Sequence, residues 1–185
     1  MISRRDIPNI LTILRILLVA PIVVLMLKER YATAMALFAV AGISDGLDGY
    51  LAKRNGWVTR LGSFLDPLAD KILLVCCYVT LGWNGLLPVW IVALVLGRDV
   101  VISAGALAFR MLIGRFDAEP TMLSKTNTFA QIVLVLLVVF DQLFEWSARD
   151  LVDPMIYLVA LTTLSSGVGY VWAWGRRAHR VHRSQ

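Results

Sequence analysis

Residues 10–27 read ILTILRILLVAPIVVLML, an apolar run that contains one charged side chain, Arg15. A helix needs about 20 mostly apolar residues to cross the hydrocarbon core of a bilayer, so this run predicts a membrane span. Because Arg15 interrupts it and no small-residue cleavage site lies before Lys28, we interpret it as a retained helix rather than a cleaved signal. Comparable runs recur along the chain. The six predicted spans are Ile10–Leu27, Ala32–Leu51, Phe64–Trp83, Leu87–Phe109, Phe129–Leu143 with its flanks, and Met155–Trp174.

The composition of the whole chain also indicates an integral membrane protein. Hydrophobic residues make up 58% of the 185 residues, whereas an ordinary soluble domain has about 45–50%. This excess argues against a soluble globule, a disordered chain and a nucleic-acid-binding tail, so we expect no nucleic-acid partner. A chain of this length predicts a single domain that covers residues 1–185.

Lysine and arginine are distributed unequally over the segments between the spans. Because cytoplasmic loops are enriched in these residues, the bias predicts that both termini face the cytoplasm. We therefore expect a multi-pass protein, with a bacterial inner membrane as its location and with its basic tail against anionic lipid headgroups. One set of segments holds Arg4, Arg5, Lys53, Arg54, Arg60, Arg110, Arg115, Lys125, Arg176, Arg177, Arg180 and Arg183, and the opposite set holds Lys28, Arg30 and Arg149.

Four carboxylates stand where the second predicted span ends and the third begins. Residues 44–53 read SDGLDGYLAK, and residues 62–71 read GSFLDPLADK. Within each stretch the two aspartates are three or four residues apart, so each pair shares one helix face. The short link between the stretches predicts antiparallel neighbouring helices, which would bring the four carboxylates together at the cytoplasmic edge of the bilayer. Ionisable groups inside a membrane are costly and usually mark function.

Four neighbouring negative charges repel one another unless positive charge lies between them. Oxygen ligands suit Mg²⁺ or Mn²⁺, and two such ions about 3.5–4 Å apart are the usual clamp for phosphoryl transfer. The alternative is a network of ion pairs with Lys53, Arg54 and Lys71, which leaves part of the negative charge unpaired. Gly49 and Ala52 leave a surface with little side chain, which suits either close helix packing or a bulky ligand.

The fixed positions of the two stretches resemble the signature of the CDP-alcohol phosphatidyltransferases, Asp45-x2-Asp48-Gly49-x2-Ala52-Lys53-x8-Gly62-x3-Asp66-x3-Asp70. Every position agrees except Lys53, where the family usually has arginine. The opening stretch IPNILTILR, residues 7–15, is similar to the phosphatidylglycerophosphate synthase and cardiolipin synthase branches. The stretches GRDV at residues 97–100 and SKTNT at residues 124–128, with Gln131, look closer to the eukaryotic-type cardiolipin synthases.

The resemblance implies a reaction and the residues that perform it. The four aspartates would hold two Mg²⁺ or Mn²⁺ ions, which grip the diphosphate of CDP-diacylglycerol. Asp70 occupies the position of the general base, which takes the proton from the acceptor hydroxyl. At Lys53 we expect weaker nucleotide binding, because lysine acts as a point charge where arginine forms two parallel hydrogen bonds. The residues at the family's CDP-lipid contacts are Asn9, Thr12, Gly49, Ala52, Lys53, Thr59 and Gly62.

The acceptor site implied by the resemblance involves Arg98, Arg110 and Lys125, which lie in the region where the family binds acceptor phosphate. Each of these residues also has a structural interpretation. Arg98 could form an ion pair inside the bundle, for example with a carboxylate of the aspartate cluster, and the other two could be positive-inside anchors. Arg15 could pair with the aspartates or help to hold a headgroup, and the sequence leaves both open.

The predicted architecture is a six-transmembrane-helix bundle with a polar cleft open to the cytoplasm, and homodimers are common in the family. The predicted reaction transfers a phosphatidyl group from CDP-diacylglycerol to phosphatidylglycerol and releases CMP. The alternative acceptor is glycerol 3-phosphate. A membrane prenyltransferase is disfavoured because Ala52 replaces the aspartate expected four residues after Asp48. An ion transporter is disfavoured because, apart from Asp99 and Asp141, the carboxylates of the spans group at one membrane face.

Overall fold

The computed structural model describes residues 7–55, 60–112, 122–144 and 149–182. Within these ranges it describes the side chains of residues 10–46, 54, 65–66, 68–105, 122–144 and 150–170. The described residues form helices and no strand, which confirms the predicted all-α class. The helices are α1 (Ile7–Leu27), α2 (Tyr31–Asn55), α3 (Arg60–Trp83), α4 (Val89–Leu112), α5 (Met122–Phe144) and α6 (Arg149–His182).

Each predicted span corresponds to one helix, and α4 is the helix that starts inside its predicted span rather than before it. The predicted span starts at Leu87, and the helix begins two residues later, at Val89. Pro88 explains the difference, since a proline disfavours the helical conformation of the residue before it. The Pro88 carbonyl then accepts the first backbone hydrogen bonds of the helix, from the amides of Ile91 at 3.1 Å and Val92 at 3.5 Å.

Three helices contain a described stretch that is long and apolar enough to cross a membrane: Ile10–Leu27 in α1, Met122–Phe144 in α5 and Asp150–Tyr170 in α6. Large apolar side chains are exposed along all six helices, as helices in a bilayer require. The chain is therefore a helical membrane protein, while the count of six spans and the cytoplasmic cleft stay predictions.

The chain divides into two compact units. The first comprises Met1–Leu87 and Val138–Trp146, and the second comprises Pro88–Leu137 and Ser147–Gln185. Helices α1, α2 and α3 lie in the first unit, α4 and α6 lie in the second, and α5 contributes to both. Each unit has its own buried side chains, and the single domain expected from the length stays a prediction.

In the first unit, α1 packs against both α2 and α3. At one end, Thr12 contacts Asp66 and Arg15 contacts Asp70. At the other end, the Asn84 amide that follows α3 donates to the Met26 carbonyl at 2.9 Å. Helices α1 and α3 therefore run in the same direction, and α2, which returns after the turn at residues 28–30, is antiparallel to α3 as predicted. The buried apolar side chains include Ile22, Met26, Ala41, Tyr78 and Leu81.

The turn between α1 and α2 is fixed by backbone and side-chain hydrogen bonds. The Arg30 amide donates to the Leu25 carbonyl at 2.9 Å, and Glu29 adopts a positive φ of 57°. Residues other than glycine rarely adopt this left-handed backbone conformation, so surrounding contacts are needed to hold Glu29 in it. Asn84 supplies such a neighbour, because its amide contacts both the Met26 carbonyl and the Tyr31 hydroxyl, the latter at 3.1 Å.

In the second unit, α4 packs against α6, and α5 contacts α6 through polar side chains inside the bundle. Asn127 of α5 is fully buried. Its Oδ1 accepts a hydrogen bond of 2.9 Å from the hydroxyl of Thr163, which is itself buried, and the Thr162 hydroxyl lies 2.9 Å from the same oxygen. Because buried polar groups need partners, this amide fixes the register of α5 against α6.

We expect Asn127→Ala to lower the free energy of unfolding by about 1–2 kcal/mol, because the buried Thr163 hydroxyl loses its acceptor. Thermal unfolding in detergent measures the change. The matched control is Thr126→Ala on the same turn of α5, where the hydroxyl is exposed and contacts only its own helix; its effect should stay within about 0.5 kcal/mol. Equal stability of the two variants would contradict a role of Asn127 in fixing α5 to α6.

Candidate active site

One face of α1 carries the polar side chains Thr12 and Arg15, one helical turn apart and both buried. The Arg15 guanidinium bridges two helices. Its Nη2 lies 2.5 Å from Asp45 Oδ1 on α2, and its Nη1 lies 2.8 Å from Asp70 Oδ1 on α3. The carboxylates of the two sequence stretches are therefore joined through a residue that belongs to neither stretch.

Thr12 makes the third contact of this face. Its Oγ1 donates a hydrogen bond of 2.5 Å to Asp66 Oδ1 on α3. Because Thr12 and Arg15 lie three residues apart, their side chains point from the same side of α1. Asp66 and Asp70 lie four residues apart on α3, so the side chains from two successive turns of α1 contact the side chains from two successive turns of α3. Three of the four predicted aspartates thus meet α1 at one end of the first unit.

The charges of this cluster are arranged with the cation inside and the anions outside. The Arg15 side chain is 1% exposed, whereas those of Asp45 and Asp70 are 40% and 47% exposed. The contacts of Arg15 and Thr12 bring together one guanidinium and three carboxylates, so negative charge exceeds positive charge among these groups. A buried guanidinium is tolerated only when it is paired, and here both terminal nitrogens face carboxylate oxygens.

The donor chemistry of the cluster fits a hard divalent cation. Its groups are carboxylates, and an ionised carboxylate has two oxygens with about four lone-pair sites, so a contact at Oδ1 leaves capacity for a metal. Among the residues whose side chains are described, no three acidic, histidine or cysteine side chains form a group close enough to hold a metal ion. Asp48, the fourth aspartate of the pattern, lies on α2 with its side chain outside the described residues.

The predicted CDP-lipid contacts fall mostly outside the described side chains. Thr12 is the exception, and the structure places it in the aspartate cluster, against Asp66. Thr59 lies outside the described residues altogether. The residues that lie on described helices, but with side chains outside the description, are Asn9, Gly49, Ala52, Lys53 and Gly62.

Arg15 is the residue whose place the sequence left undecided between pairing with aspartates and holding a headgroup. The structure shows the pairing, with one partner on each of two other helices. A signal for it was present, since a charge within an apolar span needs a partner and Thr12 precedes it by one turn. The sequence alone did not indicate which aspartates it would contact.

Arg98, predicted to bind the acceptor, is buried in the second unit. Its Nη1 lies 2.7 Å from Asp99 Oδ1, and its Nη2 donates to the Ser124 hydroxyl at 2.8 Å and the Ser166 hydroxyl at 2.6 Å. Arg98 therefore forms an ion pair inside the bundle, as one interpretation of the sequence suggested, and the carboxylate partner that the structure describes is the adjacent Asp99. Sequence reasoning missed Ser166, since a lone serine in an apolar helix carries no distinctive signal.

The other two predicted acceptor residues lie on helices that border the undescribed residues 113–121. Lys125 is exposed near the start of α5. Arg110 lies in the last turn of α4, and its side chain is outside the described residues. The structure therefore brings Arg98 together with Ser124, the residue before Lys125, but it describes no cluster of all three basic side chains.

Comparison with known proteins gives the chain relatives among lipid-synthesising enzymes. A probable cardiolipin synthase (CMP-forming) of Drosophila melanogaster is 34% identical over 181 residues, which cover 89% of this chain and 56% of that protein. Human cardiolipin synthase (CMP-forming) is 32% identical over 193 residues, covering 95% of this chain and 63% of that protein. A probable phosphatidylglycerophosphate synthase of Mycobacterium tuberculosis is 34% identical over 175 residues, covering 90% of this chain and 80% of that protein.

The share of each relative's length that this chain spans differs among the three proteins. The chain spans somewhat more than half of the two cardiolipin synthases and most of the mycobacterial protein. The sequence pattern of the CDP-alcohol phosphatidyltransferases matches residues 5–172, a range that includes α1 with Arg15, all four aspartates and Arg98. Together with the arrangement of Asp45, Asp66 and Asp70 around α1, this match shows that the chain belongs to the CDP-alcohol phosphatidyltransferase family.

Proposed function

We propose that this protein transfers a phosphatidyl group from CDP-diacylglycerol to a hydroxyl of phosphatidylglycerol, which yields cardiolipin and CMP. The observation that carries the proposal is the joining of Asp45 and Asp70 through Arg15. It brings together carboxylates from both halves of the family pattern. The relatives named cardiolipin synthase (CMP-forming) support the choice of donor and acceptor.

Phosphatidyl transfer requires a base, a phosphate held in place and stabilisation of the charge on the leaving group. The acceptor hydroxyl oxygen forms a bond to the phosphorus that carries the diacylglycerol, and the bond from that phosphorus to the bridging oxygen of CMP breaks. The hydroxyl proton passes to a carboxylate, which we assign to Asp70. The contact of its Oδ1 with Arg15 fixes the orientation of this carboxylate, and its half-exposed side chain stays accessible to a substrate.

Asp45, Asp48, Asp66 and Asp70 would hold two Mg²⁺ or Mn²⁺ ions, which when bound supply Lewis-acid stabilisation of the phosphate charge. The excess of carboxylate over guanidinium in the described cluster supports this assignment. The CDP-lipid would contact Asn9, Gly49, Ala52, Lys53, Thr59 and Gly62. Thr12 is assigned a different task, because its hydroxyl donates to Asp66 and orients that carboxylate.

The acceptor is the point on which two candidates differ. The resemblance of residues 97–100 and 124–131 to eukaryotic-type cardiolipin synthases favours phosphatidylglycerol. The mycobacterial relative, of which the chain covers 80%, favours glycerol 3-phosphate. Arg98, Arg110 and Lys125 would bind the phosphate of either acceptor. Since Nη2 of Arg98 already donates to Ser124 and Ser166, we expect an acceptor to meet this guanidinium at another nitrogen.

The proposal includes a topology. All six helices would cross the membrane, with both termini and the polar cleft on the cytoplasmic side of a bacterial inner membrane, and the chain would function among membrane lipids, alone or as a homodimer. Its support is the bias of lysine and arginine towards one set of segments. Helices α2, α3 and α4 would tolerate their charges because Arg15 and Arg98 pair with carboxylates inside each unit.

Release of CMP by the purified protein tests the reaction and the acceptor together. The protein is supplied with CDP-diacylglycerol and Mg²⁺ in mixed micelles, with phosphatidylglycerol or glycerol 3-phosphate in separate reactions. We expect turnover with phosphatidylglycerol and formation of cardiolipin. Turnover with glycerol 3-phosphate alone would identify the second candidate, and no turnover with either would contradict both.

The variant Asp70→Asn tests the base. It keeps the shape of the side chain but removes the proton acceptor, so we expect kcat to fall by at least about 100-fold while the protein remains folded. Asp141→Asn makes the same change in a carboxylate of α5 that is not one of the four aspartates of the signature, and it should retain wild-type activity. An Asp70→Asn variant as active as the Asp141→Asn control would rule out the assignment of Asp70.

A further inference from the structure

The Arg15 guanidinium contacts two carboxylates that, in the proposed function, also bind a divalent metal ion. It lies under the aspartate cluster, 1% exposed, with one terminal nitrogen on Asp45 of α2 and the other on Asp70 of α3. Both partners are residues to which the proposed function assigns a divalent ion. Arginine and metal would therefore act on the same carboxylates from the buried and the exposed side.

The two carboxylates come from different helices and repel each other when no cation lies between them. Water screens the exposed parts of Asp45 and Asp70, but screening is weaker on the side that faces the buried Arg15. A neutral residue at position 15 would remove the positive charge that meets both carboxylates, at the point where α1 packs against both helices. Arginine suits this position because its planar guanidinium can donate to two carboxylate oxygens at once and stays charged.

We propose that Arg15 is a positioning residue that serves as an internal counterion: it holds Asp45 and Asp70 together in the metal-free protein and thereby weakens the binding of the divalent cation. The second half follows from the first, since a positive charge beside a cation site lowers the affinity of that site. The inference rests on the proposed function, which assigns the divalent ion to these aspartates.

Thr12 provides the comparison that separates charge from geometry. It lies one turn from Arg15 on the same face and holds Asp66 by a hydrogen bond from a neutral hydroxyl. The variant Thr12→Val removes a positioning contact without changing the charge of the cluster. Arg15→Met removes both the contact and the charge, and Arg15→Lys keeps the charge but replaces the fork with a single ammonium group.

The unfolding temperature, measured in EDTA so that no divalent metal is bound, tests whether Arg15 acts as a counterion. Arg15→Met should unfold at a lower temperature than the wild type, and the double variant Arg15→Met/Asp45→Asn should regain part of the loss, because neutralising one carboxylate relieves the repulsion. Such a rescue is a coupling that separate packing defects do not produce. A double variant no more stable than Arg15→Met would overturn the proposal. If Arg15→Met does not fold, Arg15→Lys supplies the test: because it keeps the positive charge, it should fold and retain most of the stability, and an Arg15→Lys variant that also fails to fold would overturn the proposal.

Direct binding of Mn²⁺, measured by the loss of its free-ion electron paramagnetic resonance signal, tests the second half. We expect Arg15→Met to bind Mn²⁺ about tenfold tighter than the wild type or more, from the removal of one positive charge beside the site. Thr12→Val should not bind it more tightly. Arg98→Met, the matched loss of a buried arginine in the second unit, should leave the affinity unchanged.

The outcomes separate this inference from the function on which it rests. Wild-type binding of Mn²⁺ with unchanged or weaker binding by Arg15→Met would overturn the counterion and leave the proposed enzyme standing. An absence of Mn²⁺ binding by the wild type, together with an absence of CMP release, would overturn the metal site and the inference with it. Tighter binding by Arg15→Met together with a lower kcat would support both.

Discussion

The ion pairs of Arg15 are the interaction on which the first unit depends. A guanidinium buried in a membrane helix is costly unless carboxylates meet it, and here Asp45 and Asp70 do so from two different helices. The pairing fixes one end of α1 against α2 and α3, while Asn84 fixes the other end through Met26 and Tyr31. Between these ends the buried side chains include Val19, Ile22 and Leu81, and apolar side chains carry little information about register. The polar contacts therefore decide which turns of α1 face the aspartates.

The sequence predicted the helices well because each helix is determined by residues that are close together in the sequence. Apolar runs of membrane-spanning length located all six helices, and the spacing of aspartates within each stretch identified which side chains share a face. What one helix meets on another is not local information. Nothing in the run at residues 10–27 indicates that Arg15 would contact α2 and α3 together, so its two interpretations could only be separated by the structure.

Arg98 illustrates the same limit in the second unit. Its charge indicated that a partner or a ligand was needed, and both readings were available from the sequence. The structure supplies Asp99, which is adjacent in the chain, and two hydroxyls from α5 and α6. Ser166 had no signal of its own, because serine is common in membrane helices, where it packs closely or bonds to its own backbone. Its role becomes visible only when α6 lies beside α4.

The two buried arginines differ in the charge of their surroundings, and this difference bears on what each unit can bind. Arg98 meets one carboxylate and two neutral hydroxyls, so the charges in those contacts cancel. Arg15 meets two carboxylates, and Asp66 adds a third through Thr12, so negative charge exceeds positive charge among these groups of the first unit. A cation is attracted only where such an excess remains. This difference supports the proposal that the metal binds in the first unit rather than beside Arg98.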